Sequence, residues 1–192
     1  MSKKIAALLL VLALAMFAVT GCAQQKSSDT AATPTVATPD KTKPADTKVG
    51  TAPDGSEVAI EKATLKFIKD YEAGKYQLVS IDDLNTWIGE KKDMIVIDTM
   101  PADFYAKGHL PGAVNAELPK TGMADATDEQ KAAFIKLLGT DKSKTIVVYC
   151  GFVGCARSDV GAVIAKEQGF TDVYRLPGGY AAWVEAGYEL QK

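Results

Sequence analysis

From Lys75 onward, short apolar runs alternate with stretches whose apolar residues recur every three or four positions. That rhythm predicts strands alternating with helices, an α/β domain built on a parallel sheet. Five strands are expected, at residues 77–79, 94–98, 113–116, 145–149 and 173–176. Ser80 can cap a helix that runs to about Gly89, and Thr127 with Gln130 forms a capping box ahead of Phe134, Leu137 and Leu138, closed by Gly139. Two further helices are predicted over residues 157–168 and 180–186, each followed by a glycine, Gly169 and Gly187. Before the domain, Ile60, Ala63, Phe67 and Tyr71 recur at helical spacing between a cap-like Asp54/Glu57 pair and Gly74, which predicts an extra amphipathic helix over residues 54–74. A lone helix is marginal in water, so its apolar stripe is expected to pack on the domain that follows, residues 75–192.

Upstream the pattern changes. Residues 22–53 contain Pro34, Pro39 and Pro44 among Thr, Ala, Lys and Asp, with Val36 and Val49 as the only large apolar side chains and no aromatic. Such a segment forms no core and reads as a disordered tether with an r.m.s. reach of about 30 Å. Lys3 and Lys4 precede an apolar run from Ile5 to Val19, the layout of an export signal. As a helix that run spans about 22 Å, short of the ~30 Å hydrocarbon thickness. Val19-Thr20-Gly21-Cys22 resembles the lipobox of bacterial lipoproteins. The resemblance implies removal of residues 1–21, acylation of Cys22 and anchoring of an exported protein to the lipid bilayer of the cell envelope. Ala23 after Cys22 favours the outer membrane, facing the periplasm, in a cell with two membranes. An ordinary secretory cleavage site with an incidental cysteine is the alternative.

Composition narrows the partners. With 22 Lys+Arg against 24 Asp+Glu and a formal charge of −2, the 192-residue chain lacks the basic surplus of a phosphate-binding surface, so nucleic acid is not an expected partner. The chemistry gathers instead at the end of the 145–149 strand. Thr145-Ile146-Val147-Val148-Tyr149 reads as buried on both faces, and Cys150 follows it directly, before a glycine-containing loop and a helix. Open α/β sheets bind ligands at such strand ends. The glycines in Cys150-Gly151-Phe152-Val153-Gly154-Cys155-Ala156-Arg157-Ser158 allow successive N–H groups to turn toward an anion, and the next helix adds its positive N-terminal end. A thiol there has its thiolate favoured without a histidine base, which makes Cys150 the candidate nucleophile over an inert buried thiol. Arg157 is the candidate side chain for binding the incoming anion.

With the segments Val96-Ile97-Asp98, Phe104-Tyr105, Gly108-His109-Leu110-Pro111-Gly112-Ala113, Tyr149-Cys150 and Leu176-Pro177-Gly178-Gly179-Tyr180-Ala181-Ala182-Trp183 in this order, the region 75–192 resembles the rhodanese-like sulfurtransferase family. The resemblance implies a single domain with a five-stranded parallel sheet flanked by helices, preceded here by the extra helix. It implies that Cys150 takes sulfane sulfur from thiosulfate or a related donor as a persulfide and passes it to a thiophilic acceptor. The partners would be a small sulfur-containing anion and a thiol, with no metal and no organic cofactor. It further implies that the backbone of Gly151, Phe152, Val153, Gly154, Cys155 and Ala156 cradles the loaded sulfur, and that Asp98 and His109 serve as structural members of their motif.

The chain departs from the family's usual pattern in three places. Met100 stands two residues after Asp98, where an arginine is usual; Cys150 to Arg157 spans eight residues, where six is common; and Cys155 lies within the loop. Cys155 can resolve a Cys150 persulfide as a disulfide with release of sulfide, or pack as a small side chain. Three other readings stand beside sulfur transfer. A tethered redox or anion-binding module would toggle Cys150 and Cys155 without turnover. A phosphatase of the cell-cycle dual-specificity type would need arginine six residues after the cysteine, where Ala156 stands. A zinc site from Cys150, Cys155 and His109 lacks a fourth ligand.

Overall fold

Strand β4 (Thr145–Tyr149) is buried at every position, as its unbroken apolar sequence dictates, and the other elements are arranged about it. The computed structural model describes residues 57–192; residues 1–53 with Cys22, and the cap-like Asp54, lie outside the described residues. Strands β1 (Gln77–Leu78), β2 (Met94–Asp98), β3 (Val114–Asn115) and β5 (Val173–Arg175) complete a five-stranded sheet of order β1-β5-β4-β2-β3, parallel throughout. The helices are α1 (Glu57–Gly74), α2 (Ile81–Gly89), α3 (Ala102–Tyr105), α4 (Asp128–Leu138), α5 (Arg157–Glu167) and α6 (Gly179–Glu185).

Alternation along β4 divides the core. Ile146 and Val148 face a cluster with Ile97, Phe134, Leu138, Val160 and Ile164, drawn from β2, α4 and α5. Val147 and Tyr149 face the other way, onto Leu84, Val96, Leu110 and Trp183, and this second cluster contains both Cys150 and Cys155. The predicted caps form: Ser80 Oγ accepts from the Asp83 amide at 3.0 Å, and Thr127 and Gln130 bond reciprocally at the start of α4.

Three strands are a residue or more shorter than expected, although Val79 N–H to Arg175 O and Ala116 N–H to Asp98 O prolong the ladder beyond β1 and β3. Helix α3 was not expected: one turn is too short for a periodic pattern to show. Helix α1 lies against α5, with Ala63, Phe67 and Asp70 half-buried, whereas Ile60 of the predicted stripe remains 52% exposed and Tyr71 lies at the rim. The reason is local. Phe67 stacks beside Tyr71 and lies 4.9 Å from the Arg175 guanidinium, which turns that part of α1 toward the end of β5.

Candidate active site

After β4 the chain turns through α5 to β5 on one side, while after β2 it turns through α3 to β3 on the other. The two connections diverge at the carboxyl ends of neighbouring strands, which opens a crevice there. A cavity of about 370 Å³ occupies it, walled by Met100, Pro101 and Phe104 after β2, by Gly151, Phe152, Cys155 and Arg157 after β4, and by Lys120.

Two free thiols meet beside this cavity. Cys150 is sealed at 1% exposure, its Sγ 3.5 Å from the Cys155 carbonyl oxygen, 3.8 Å from that of Phe152 and 3.4 Å from Ser158 Oγ. Cys155 lines the cavity at 7% exposure, and Arg157 Nη1 donates to its Sγ at 3.7 Å. Burial pushes the Cys150 thiol well up, and the neighbouring Cys155 thiol pushes it further, while the Ser158 hydroxyl and amide act in the opposite sense. Cys155 moves down to about 5, first through the neighbouring Cys150 thiol and then, against burial, through the Arg157 amide and guanidinium. Both directions favour negative charge at the Cys155 end of the pair, beside Arg157.

Of the loop amides expected to form a cradle, that of Cys155 donates to the Phe152 carbonyl at 3.0 Å. The donors that favour a Cys150 thiolate come from Ser158, in the first turn of α5. Arg157 opens that helix, and its Nε is buried without a hydrogen-bond partner among the described residues.

Arg175 is a residue the motif reading missed. It ends β5, is 1% exposed, and grips the loop from behind. Its Nη2 donates to the carbonyls of Cys155 at 3.0 Å and Val153 at 3.4 Å, its Nε to Ser158 Oγ at 2.9 Å, and its Nη1 to Tyr76 OH at 3.1 Å. Tyr76 OH donates in turn to Asp159 Oδ1 at 2.7 Å, and burial raises that carboxyl above its usual range. The signal available was a lone basic residue inside the apolar run Val173-Tyr174-Arg175-Leu176, which marks a charge carried into the interior.

The other motif residues hold the floor of the site. Asp98, fully buried, accepts from Tyr149 OH at 2.7 Å and from the Met100 amide at 2.8 Å. His109 stacks on Tyr105 with ring centroids 3.8 Å apart, its Nδ1 is 3.1 Å from the Tyr105 carbonyl oxygen, and its backbone bridges to Gln191. Gly179 has φ +56, and a Cβ there would lie 2.0 Å from the Cys150 carbonyl oxygen. That close approach lets the Tyr180 and Ala181 amides bond the Cys150 and Gly151 carbonyls at 2.8 and 2.9 Å.

Comparison with known proteins agrees with this architecture. The thiosulfate sulfurtransferase GlpE of Shewanella oneidensis is 33% identical over 97 residues, which cover 50% of this chain and 82% of that protein. Among solved structures, the thiosulfate sulfurtransferase of Pseudomonas aeruginosa matches with a TM-score of 0.53 at 15% identity, over 72% of this chain and 26% of that one. The polysulfide-sulfur transferase homodimer of Wolinella succinogenes matches with a TM-score of 0.50 at 23% identity, over 68% and 90% of the two chains. Residues 80–186 match the family described as the rhodanese-like domain, and with its parallel five-stranded sheet and strand-end cysteine the chain belongs to that family.

Proposed function

We propose that this protein is a sulfurtransferase that accepts sulfane sulfur from thiosulfate or a related anionic donor, carries it as a persulfide on Cys150, and yields it to a thiol or another thiophilic acceptor. The observation that carries the reading is the paired thiols at the switch-point cavity, where Arg157 and Lys120 supply positive charge to an arriving anion. The relatives named thiosulfate sulfurtransferases support the same chemistry. Each transfer is a displacement at sulfur. A thiolate attacks the outer sulfur of the donor, the bond to the sulfite sulfur breaks, and sulfite leaves with the electron pair. In release, the acceptor thiolate attacks the terminal sulfur of the persulfide, and the cysteine that carried it departs with the electron pair. Anchoring through Cys22 would hold this activity at an envelope membrane, on the strength of the 19–22 motif.

Two free thiols on one short loop support a second reading, a dithiol that oxidises to a loop disulfide without turnover. One experiment separates the two. Reduced protein is incubated with thiosulfate, its intact mass is read for one added sulfur, and thiocyanate release is followed after cyanide is added. Loading and turnover are expected; a chain that does neither, yet forms a disulfide under mild oxidant, is a redox module.

A further inference from the structure

The two cysteines of the loop occupy unlike places, and the difference has a direction. Cys155 lines the cavity through which a donor must come, whereas Cys150 does not line it and is sealed behind the loop. Arg157, which lines the same cavity, holds the Cys155 sulfur through Nη1 at 3.7 Å. Lys120 adds a second cation to the wall, while Phe152, Phe104 and Met100 make the rest apolar. That combination suits a small sulfur-containing dianion: charge at one side, and a low-dielectric wall that strengthens it. Cys150, by contrast, faces the carbonyls of Phe152 and Cys155 and the Ser158 hydroxyl, none of which offers an entering donor a path.

Resting on the sulfurtransferase reading, we propose that Cys155 is the port of the site: it takes sulfur from the donor at the cavity and exchanges it with Cys150, which stores it behind the loop. The exchange balances without oxidant or reductant. The Cys155 thiolate attacks the outer sulfur of thiosulfate, sulfite leaves with the electron pair, and Cys155 becomes a persulfide anion. Cys150 then gives its proton to Cys155 Sγ as its own sulfur attacks the outer sulfur. The bond between that sulfur and Cys155 Sγ breaks, leaving a Cys150 persulfide anion and a neutral Cys155 thiol. Release runs the same steps backward, with the acceptor meeting the sulfur on Cys155. The two directions, Cys155 lowered beside Arg157 and Cys150 raised by burial, fit the first step, because the thiolate is the attacking form.

The test loads the full chain and its Cys150→Ser and Cys155→Ser variants with thiosulfate, quenches with iodoacetamide over a time course, and locates the added sulfur by fragmenting the 145–157 peptide. Cys150→Ser is expected to load one cyanide-labile sulfur on Cys155. Cys155→Ser is expected to load about tenfold more slowly or not at all, since only the protonated, sealed thiol remains. In the unmodified protein, the sulfur should appear on Cys155 before Cys150. Loading of Cys155→Ser at the unmodified rate, or first appearance of the sulfur on Cys150, overturns the port while leaving sulfur transfer intact. If the unmodified protein takes up no sulfur, sulfur transfer itself fails and the port with it.

Discussion

Replacing Arg175 by methionine tests whether the loop is held from behind. The substitution keeps the apolar stem and removes a guanidinium that is 1% exposed and makes four hydrogen bonds. Two of its partners tolerate the loss: Tyr76 OH still donates to Asp159, and the Ser158 hydroxyl still faces the Cys150 sulfur. The carbonyls of Cys155 and Val153 lose the cation that turns them away from the cavity. Two charge-assisted bonds at roughly 1.5–3 kcal/mol each set an upper figure of about 3–6 kcal/mol. Methionine escapes the desolvation of a buried charge, which lowers the expected loss to about 3 kcal/mol. For a chain of this size that corresponds to a fall of roughly 6–12 °C in Tm. The loop should loosen more than the fold, so iodoacetamide labelling of Cys150 should accelerate well below the melting range. A melt within about 0.5 kcal/mol of the parent, with Cys150 labelling unchanged, would refute the argument.

Cys155 alkylation by iodoacetamide should have its half-maximum near pH 5, where burial and partners place the thiol, and the remaining thiol of Cys155→Ser should react only at far higher pH because burial raises Cys150. A half-maximum for the parent near the ordinary thiol value would show that neither Cys150 nor Arg157 holds the Cys155 thiol down. Gly179→Ala should cost about 3 kcal/mol or more in urea unfolding, since its Cβ would lie 2.0 Å from a backbone oxygen at φ +56, whereas Gly187→Ala, at φ +75 with open space around it, should cost only about 1–2 kcal/mol. Equal losses at the two glycines would show that close approach to Cys150 is not what constrains position 179. Tyr149→Phe removes the hydroxyl that donates to Asp98 and accepts from the Leu110 amide, and it should cost about 1–3 kcal/mol in the same assay. No measurable change would mean that Asp98 does not depend on that bond.

What the sequence shows most readily is what is local and repeated. The apolar run of β4, the Ser80 cap and the Thr127–Gln130 box each declare themselves within a few residues, and each forms. The five-strand parallel sheet follows from their alternation. The site is legible only as far as its loop is contiguous: Cys150, Cys155 and Arg157 share one stretch, so their meeting could be expected. Arg175 could not be expected there, because it and its partners, Tyr76 on one hand and Val153, Cys155 and Ser158 on the other, come from three separate parts of the chain and meet only when β5 lies beside β4. The same holds for Ile60, whose helical spacing matches that of Phe67 although only Phe67 has the guanidinium to pack on.

Two departures from the usual pattern of the family, the missing arginine at position 100 and the long loop, are related in space. Met100 is buried and forms part of the apolar wall, so the β2 side of the crevice contributes no cation. The eight-residue span from Cys150 carries Arg157 past the loop and into the opening turn of α5, from which its guanidinium reaches back to the Cys155 sulfur. Positive charge therefore enters the cavity from Arg157 on the β4 side and from Lys120. Coulomb attraction falls with distance, so the charge favours an anion beside Cys155 more than one deep against Cys150. Moving the cation, for example by Met100→Arg with Arg157→Met, should accordingly slow loading of sulfur on Cys155 in Cys150→Ser while leaving the fold intact. Undiminished loading in that triple variant would show that Arg157's place beside Cys155 is incidental to donor capture.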